Sequence, residues 1–242
     1  MRLRKAIGFL NGLIDAVLLI GCLALFLAGA YATYDGYLVR AMANDDSLLR
    51  FKPGYEADSS ADSDKEIKGN MVAWLTVDDT RIDFPVMQGR NNSEYLNKNP
   101  YGEYSLSGSI FLDSRNASDF TDDYSLIYGH HMERGAMFGA LDEYLEKGYM
   151  ESHESGTLTA GGERMRLRIF AVLEAPATEG AVFAPTENDG ETLPYLKSRG
   201  KFISEKNWPK EGERVLALST CKYPDTAERT IVFAAIESTR PD

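Results

Sequence analysis

The stretch Arg164-Met165-Arg166-Leu167-Arg168-Ile169-Phe170-Ala171-Val172-Leu173 decides the fold class. Met165, Leu167, Ile169, Ala171 and Leu173 fall at every second position, with Arg164, Arg166 and Arg168 between them. Successive side chains of a strand point to opposite faces, so this period predicts one apolar face and one solvated face. Working outward, residues 72–77, 82–87, 107–113 and 124–128 are short runs rich in β-branched or aromatic side chains. Residues 214–220 and 230–238 read as two final strands. Helical spacing shows in 137–145, through Met137, Leu141 and Leu145, and in the long connection 186–206, through Glu191, Leu193 and Leu196. Many strands and few helices predict a mainly β domain. Closure into a barrel would remove exposed edges, and a two-sheet sandwich is the alternative on pattern alone.

The N-terminus has a different character. Residues 16–34 carry no charge, and as a helix they are about long enough to cross a hydrocarbon core of roughly 30 Å. Residues 7–14 continue the apolar run, and Arg2, Arg4 and Lys5 precede it. That placement predicts a cytoplasmic N-terminus, with the rest of the chain outside the cell. Ala28-Gly29-Ala30 and Ala30-Tyr31-Ala32 fit a small-x-small cleavage site. The run is nevertheless longer than the roughly 7–15 residues of a signal-peptide core, so an uncleaved anchor is expected. Residues 35–51 have helical character up to Pro53-Gly54, and 56–68 are polar and charged, as in a solvated linker. The expected division is a tip and transmembrane anchor over 1–35, a linker over 36–69 and a folded domain over 70–242. The formal net charge of -11 provides no basic footprint for phosphates, which excludes nucleic acid as a partner.

Two cysteines are present, Cys22 inside the apolar segment and Cys221 at the end of a predicted strand. They cannot pair, because one would lie in lipid, so Cys221 needs another reason to exist. If the last two strands form a symmetric antiparallel pair, Cys221 and Arg229 face each other across the connection 222–228. Alternation then puts Ser219 on the Cys221 face, lining a groove, with Leu216 and Leu218 turned inward. His130 and His131 follow the run 124–128. A thiol titrates at about 8.5 and attacks only as thiolate, so a nearby cation raises its reactive fraction. An imidazole can hold the proton and return it to a departing amine. A guanidinium stays charged and can donate to the oxygen of a tetrahedral intermediate. The three together point to covalent acyl transfer. Adjacent histidines on a strand face opposite ways and no metal-ligand spacing is present, so neither metal nor cofactor is expected. The acidic stretch 113–123 lacks a calcium-loop pattern and reads as a solvated loop.

Leu218-Ser219-Thr220-Cys221 with Arg229, preceded by Tyr128-Gly129-His130, resembles the sortase signature. Trp74-Leu75-Thr76-Val77, Ile82-Asp83-Phe84-Pro85-Val86, Tyr95-Leu96-Asn97, Gly108-Ser109-Ile110-Phe111-Leu112-Asp113 and Met137-Phe138-Gly139 are similar to class B sortases. The likeness runs from about Asn70 to Ile236. It implies a closed eight-stranded sortase-type β-barrel with peripheral helices, and a membrane-bound cysteine transpeptidase of a Gram-positive-type cell. Such an enzyme cleaves the C-terminal sorting signal of a surface protein through a thioester. It then passes the protein to an amine of a peptidoglycan precursor or of a pilin lysine. The resemblance assigns Cys221 as nucleophile, His130 rather than His131 as acid/base, and Arg229 as oxyanion donor. It also puts Asn92, Leu96 and Ser219 at the signal groove. Lys222 and Tyr223 stand where some class B members carry acidic residues, and Asp225 receives no role. A cysteine protease would use the same thiol and imidazole with water as acceptor. A surface-anchored binding domain without chemistry is the reading from another class.

Overall fold

A computed structural model describes residues 2–43, 45–55, 66–68, 70–187, 190–221 and 228–237. The connection 222–227, with Lys222, Tyr223 and Asp225, and most of the polar linker at 56–65 lie outside the described residues. The chain divides into two units, Met1–Ala41 and Met42–Asp242.

The first unit is helical. Helix α1 spans Arg2–Ala43, and its segment Ile7–Tyr34 is long and apolar enough to cross a membrane, with a window of mean hydropathy 2.5. Its apolar side chains surround the helix, and Phe9, Leu19, Leu25 and Phe26 all stay exposed. A helix apolar on every side is stable where a core or a bilayer surrounds it.

The second unit holds nine strands among the described residues. They are β1 (Met71–Val77), β2 (Asp83–Gln88), β3 (Ile110–Leu112), β4 (Tyr124–Gly129) and β5 (Ser155–Ala160). After these come β6 (Glu163–Pro176), β7 (Phe202–Ile203), β8 (Arg214–Cys221) and β9 (Glu228–Glu237). Their order is β5-β1-β2-β3-β4-β8-β9-β6-β7, and β5 also pairs with β6. That extra ladder closes eight strands into a barrel and leaves β7 as a short appendage on β6. Closure removes the unpaired edges that would invite association. The sandwich alternative is excluded.

Two apolar layers hold the barrel. Leu75, Val86, Ile127, Leu158, Leu167, Leu216, Leu218 and Val232 fill the interior. On the outer face, Leu126, Phe170, Leu173, Val215, Ala217, Ile231 and Phe233 are covered by Val182 and Leu196. These two come from α3 (Gly180–Phe183) and α4 (Thr192–Arg199), both within the connection from β6 to β8; the short helix α2 spans Tyr149–Ser152. Strands β8 and β9 are therefore buried on both faces, which is why they read as nearly continuous apolar runs.

Three departures from the sequence pattern have local causes. The alternation in β6 does not persist to Leu173. A register shift between Ile169 and Ala171 moves Ala171 and Leu173 to the outer cluster, while Met165, Leu167 and Ile169 face inward. A bulge of this kind inverts every later position. Strand β5 escaped notice because its inward residues are Gly156, Leu158 and Ala160, two of them too small to register as apolar. Glycine fits at 156 because an added Cβ would lie 2.6 Å from the Thr76 carbonyl oxygen. Strand β3 is shorter than 107–113, since Ser109 Oγ donates to the Lys98 carbonyl at 2.6 Å and turns that segment away from the ladder.

Candidate active site

The residues singled out for chemistry converge on one end of three neighbouring strands. Cys221 ends β8 and pairs in register with Arg229 on β9, as the symmetric pairing requires. On the other side of β8, the parallel strand β4 pairs Tyr128 with Ser219 and Gly129 with Thr220. His130 follows Gly129 directly, beyond the last pair of the β4–β8 ladder. His130, Cys221 and Arg229 thus stand at the same end of three neighbouring strands. Leu216 and Leu218 point into the barrel and Ser219 to the outer side, as alternation predicts.

His130 is held from the opposite wall. Its Nε2 lies 2.7 Å from the Leu96 carbonyl oxygen. A carbonyl only accepts, so Nε2 carries the proton and Nδ1 is left to exchange one. Leu96 itself is 38% exposed. The segment after His130 is pinned tightly. Phe138 N–H donates to the His130 carbonyl at 3.1 Å, and His131 bridges to Met137. Arg134 and Met137 have φ of 60° and 51°, conformations that L side chains enter only when their surroundings impose them. Gly129 permits this approach, for a Cβ there would lie 2.5 Å from Ile110 Cδ1 and 2.7 Å from the Phe138 ring. Gly129→Ala should therefore cost about 1–3 kcal/mol by overpacking. Thermal melting of the detergent-solubilised protein checks this, and an unchanged midpoint would show that the site has slack.

The second histidine has another role. His131 Nε2 and Asp142 Oδ2 are 2.9 Å apart, and Thr230 Oγ1 donates to Asp142 Oδ1 at 3.0 Å. Thr230 is fully buried, next to Arg229. This carboxylate fastens the segment after His130 to the strand that carries Arg229.

The groove residues fare differently from one another. Ser219 lies on the expected face but is fully covered, and its Oγ has no hydrogen-bond partner among the described residues. Tyr128, its register partner, shares that face. Asn92 spends both ends of its amide inside the protein. Its Nδ2 donates to Asp113 Oδ2 at 2.9 Å, and its Oδ1 accepts from Ser114 N–H at 2.8 Å.

Asp113 corrects the reading of 113–123 as a solvated loop. It has no exposed surface, because it directly follows the buried strand β3. Besides Asn92, its carboxylate accepts from the Tyr128 hydroxyl at 2.9 Å and from Arg115 N–H, Nε and Nη2 at 3.0, 2.9 and 2.8 Å. Burial alone would raise its pKa, but the hydrogen bonds from Arg115 and Tyr128 outweigh that and hold it below the usual aspartate value. Tyr128 moves the other way. Burial, with the neighbouring Asp113 charge, pushes its hydroxyl well up, partly offset by Arg115 and Arg229. Sequence reasoning passed over Asp113, Arg115, Asp142 and Thr230. The available signal was an aspartate closing a fully apolar strand, with an arginine two residues on.

Comparison with known proteins agrees with the fold. A family model described as the sortase domain matches residues 75–237. Sortase B of Listeria monocytogenes is 34% identical over 160 residues, which cover 65% of each chain, just under two thirds of that relative's length. A solved class B sortase of Streptococcus pyogenes, involved in pilus biogenesis, matches with TM-score 0.64 and 39% identity, over 71% of this chain and 94% of that one. Sortase B of Clostridium perfringens matches with TM-score 0.64 and 31% identity, over 72% and 97%.

Proposed function

The chain belongs to the sortase family, in its class B branch, and from that membership we propose that it is a membrane-anchored cysteine transpeptidase acting on sorting signals of surface proteins. The observation that supports the reading is the register that pairs Cys221 with Arg229 at the end of β8 and β9, next to the end of β4 after which His130 follows.

In the proposed reaction the Cys221 thiolate attacks the carbonyl carbon of the signal's scissile peptide bond. Arg229 donates to the oxygen that becomes negative, and protonated His130 gives its proton to the departing amine nitrogen. The C–N bond breaks and a thioester remains. An incoming amine then attacks the thioester, loses a proton to His130 and expels the Cys221 sulfur as thiolate, which restores the enzyme. The amine comes from a peptidoglycan precursor or a pilin lysine; the S. pyogenes relative involved in pilus biogenesis supports testing the second. No metal or cofactor takes part in this scheme. The apolar helix supports anchoring in the cell membrane with the N-terminus cytoplasmic and the catalytic domain extracellular. The division into anchor, linker and catalytic domain at 1–35, 36–69 and 70–242 belongs to the same proposal.

Incubating the protein with a signal-peptide library and an amine tests transfer. An amide product supports the transpeptidase, whereas cleavage to the free acid alone supports a cysteine protease. The histidine assignment has its own test. His130→Ala should lower kcat about 10²–10⁴-fold, as expected for loss of a general acid/base, while His131→Ala, which removes one hydrogen bond to Asp142, should cost no more than about tenfold. Peptide cleavage kinetics of the two variants decide, and the reverse order would reassign the acid/base.

A further inference from the structure

We propose that Asp113 is a positioning residue that fixes three walls of the signal groove relative to one another, with Asn92 as one of its anchors. The proposal rests on the sortase reading for the word groove, but not for the coupling.

Its basis is the fan of donors around one buried carboxylate. Asn92 comes from the segment that also carries Leu96, whose carbonyl holds His130. Tyr128 lies on β4, two residues before His130. Arg115 reaches on from Asp113 and donates through Nη2 to the Phe183 carbonyl at 2.8 Å, at the end of α3 in the connection from β6 to β8. A second staple runs alongside it, the Tyr124 hydroxyl donating to the Val182 carbonyl at 2.9 Å. Two segments with no shared ladder are thus tied to the strand that precedes His130.

Only a carboxylate fits at this centre. Oδ2 accepts from Asn92, Tyr128 and Arg115 Nη2, and Oδ1 accepts from Arg115 N–H and Nε. A side-chain amide offers one accepting oxygen, so its NH₂ would face donors whichever way it turned. The Asn92 amide is oriented by one hydrogen bond at each end, and the same segment exposes the apolar Leu96 side chain.

The test uses full-length protein in detergent, with two readouts for Asp113→Asn and Arg115→Ala. The first is hydrogen exchange followed by mass spectrometry. Asp113→Asn should raise exchange in 90–97, 114–118 and 180–186 together while β8 and β9 stay protected; Arg115→Ala should raise it in 180–186. The second is steady-state cleavage of a signal peptide. Asp113→Asn should raise KM about tenfold or more, the scale of a lost hydrogen bond to a charged group, with kcat within about threefold. In Asp113→Asn, a lower melting temperature with unchanged KM, or exchange raised in one segment only, would make Asp113 an ordinary buried ion-pair residue and overturn the proposal. If Asp113→Asn does not fold, Arg115→Ala decides: raised exchange in 180–186 upholds the tie and unchanged exchange there refutes it. If the wild type cleaves no signal peptide, the sortase reading fails, and the exchange pattern still upholds or refutes the coupling.

Discussion

Alanine at Cys221 is expected to abolish cleavage and transfer, a loss of roughly 10⁴-fold or more in kcat, because removing a nucleophile stops every later step. The backbone of Cys221 is held by pairing with Arg229 of β9, and that of the preceding Thr220 by β4 as well. Alanine at a strand end preserves both ladders, so the barrel should melt as the wild type does. Peptide affinity should also survive, since the groove walls do not depend on the sulfur. Turnover and peptide binding measured on one preparation separate the readings. Lost turnover with retained binding fits a covalent enzyme. Retained turnover would remove Cys221 from the mechanism, and a wild type that binds without ever cleaving would favour the non-catalytic domain.

The second large effect is at Arg229. Replacement by alanine should lower kcat about 10²–10³-fold, the scale seen when one oxyanion donor is removed. Lysine should recover only part of this, because a single ammonium cannot reproduce a two-pronged donor. Arg229 is paired to Cys221 on one side and to Ala175 of β6 on the other, so its backbone cannot drift when the side chain changes. By strand alternation Arg229 shares the face of Ile231, which belongs to the outer layer. Single-turnover acylation rates are the measure. Wild-type rates in Arg229→Lys would show that position 229 supplies charge alone.

The parts of this protein legible in its sequence share a physical property, a strong local period or a symmetric pairing. The apolar N-terminal helix is one such part. The opposition of Cys221 and Arg229 is another, because two apolar runs joined by a short connection leave one simple register. What stayed hidden depends on contacts distant in sequence. Strand β5 closes the barrel with small residues that carry no hydrophobic signal. The bulge at Ile169–Ala171 inverts β6 with no mark in its composition. Asp113 looked like one more member of an acidic loop, and its burial follows only once β3 lies between β2 and β4. The pairing of Thr230 with Asp142, 88 residues apart, is of the same kind. Class B resemblance supplied the proposed roles of His130 and Arg229; the β8–β9 ladder sets Arg229 opposite Cys221, and His130 directly follows β4.

The most direct measurement is mass spectrometry of the protein quenched in acid seconds after mixing with a sorting-signal peptide, with and without an amine. The account predicts a peptide adduct on the fragment that contains Cys221, with the mass of the acyl half of the substrate. In the presence of the amine the adduct should fall as an amide product rises. An adduct on another residue, or amide product formed by Cys221→Ala, would contradict it.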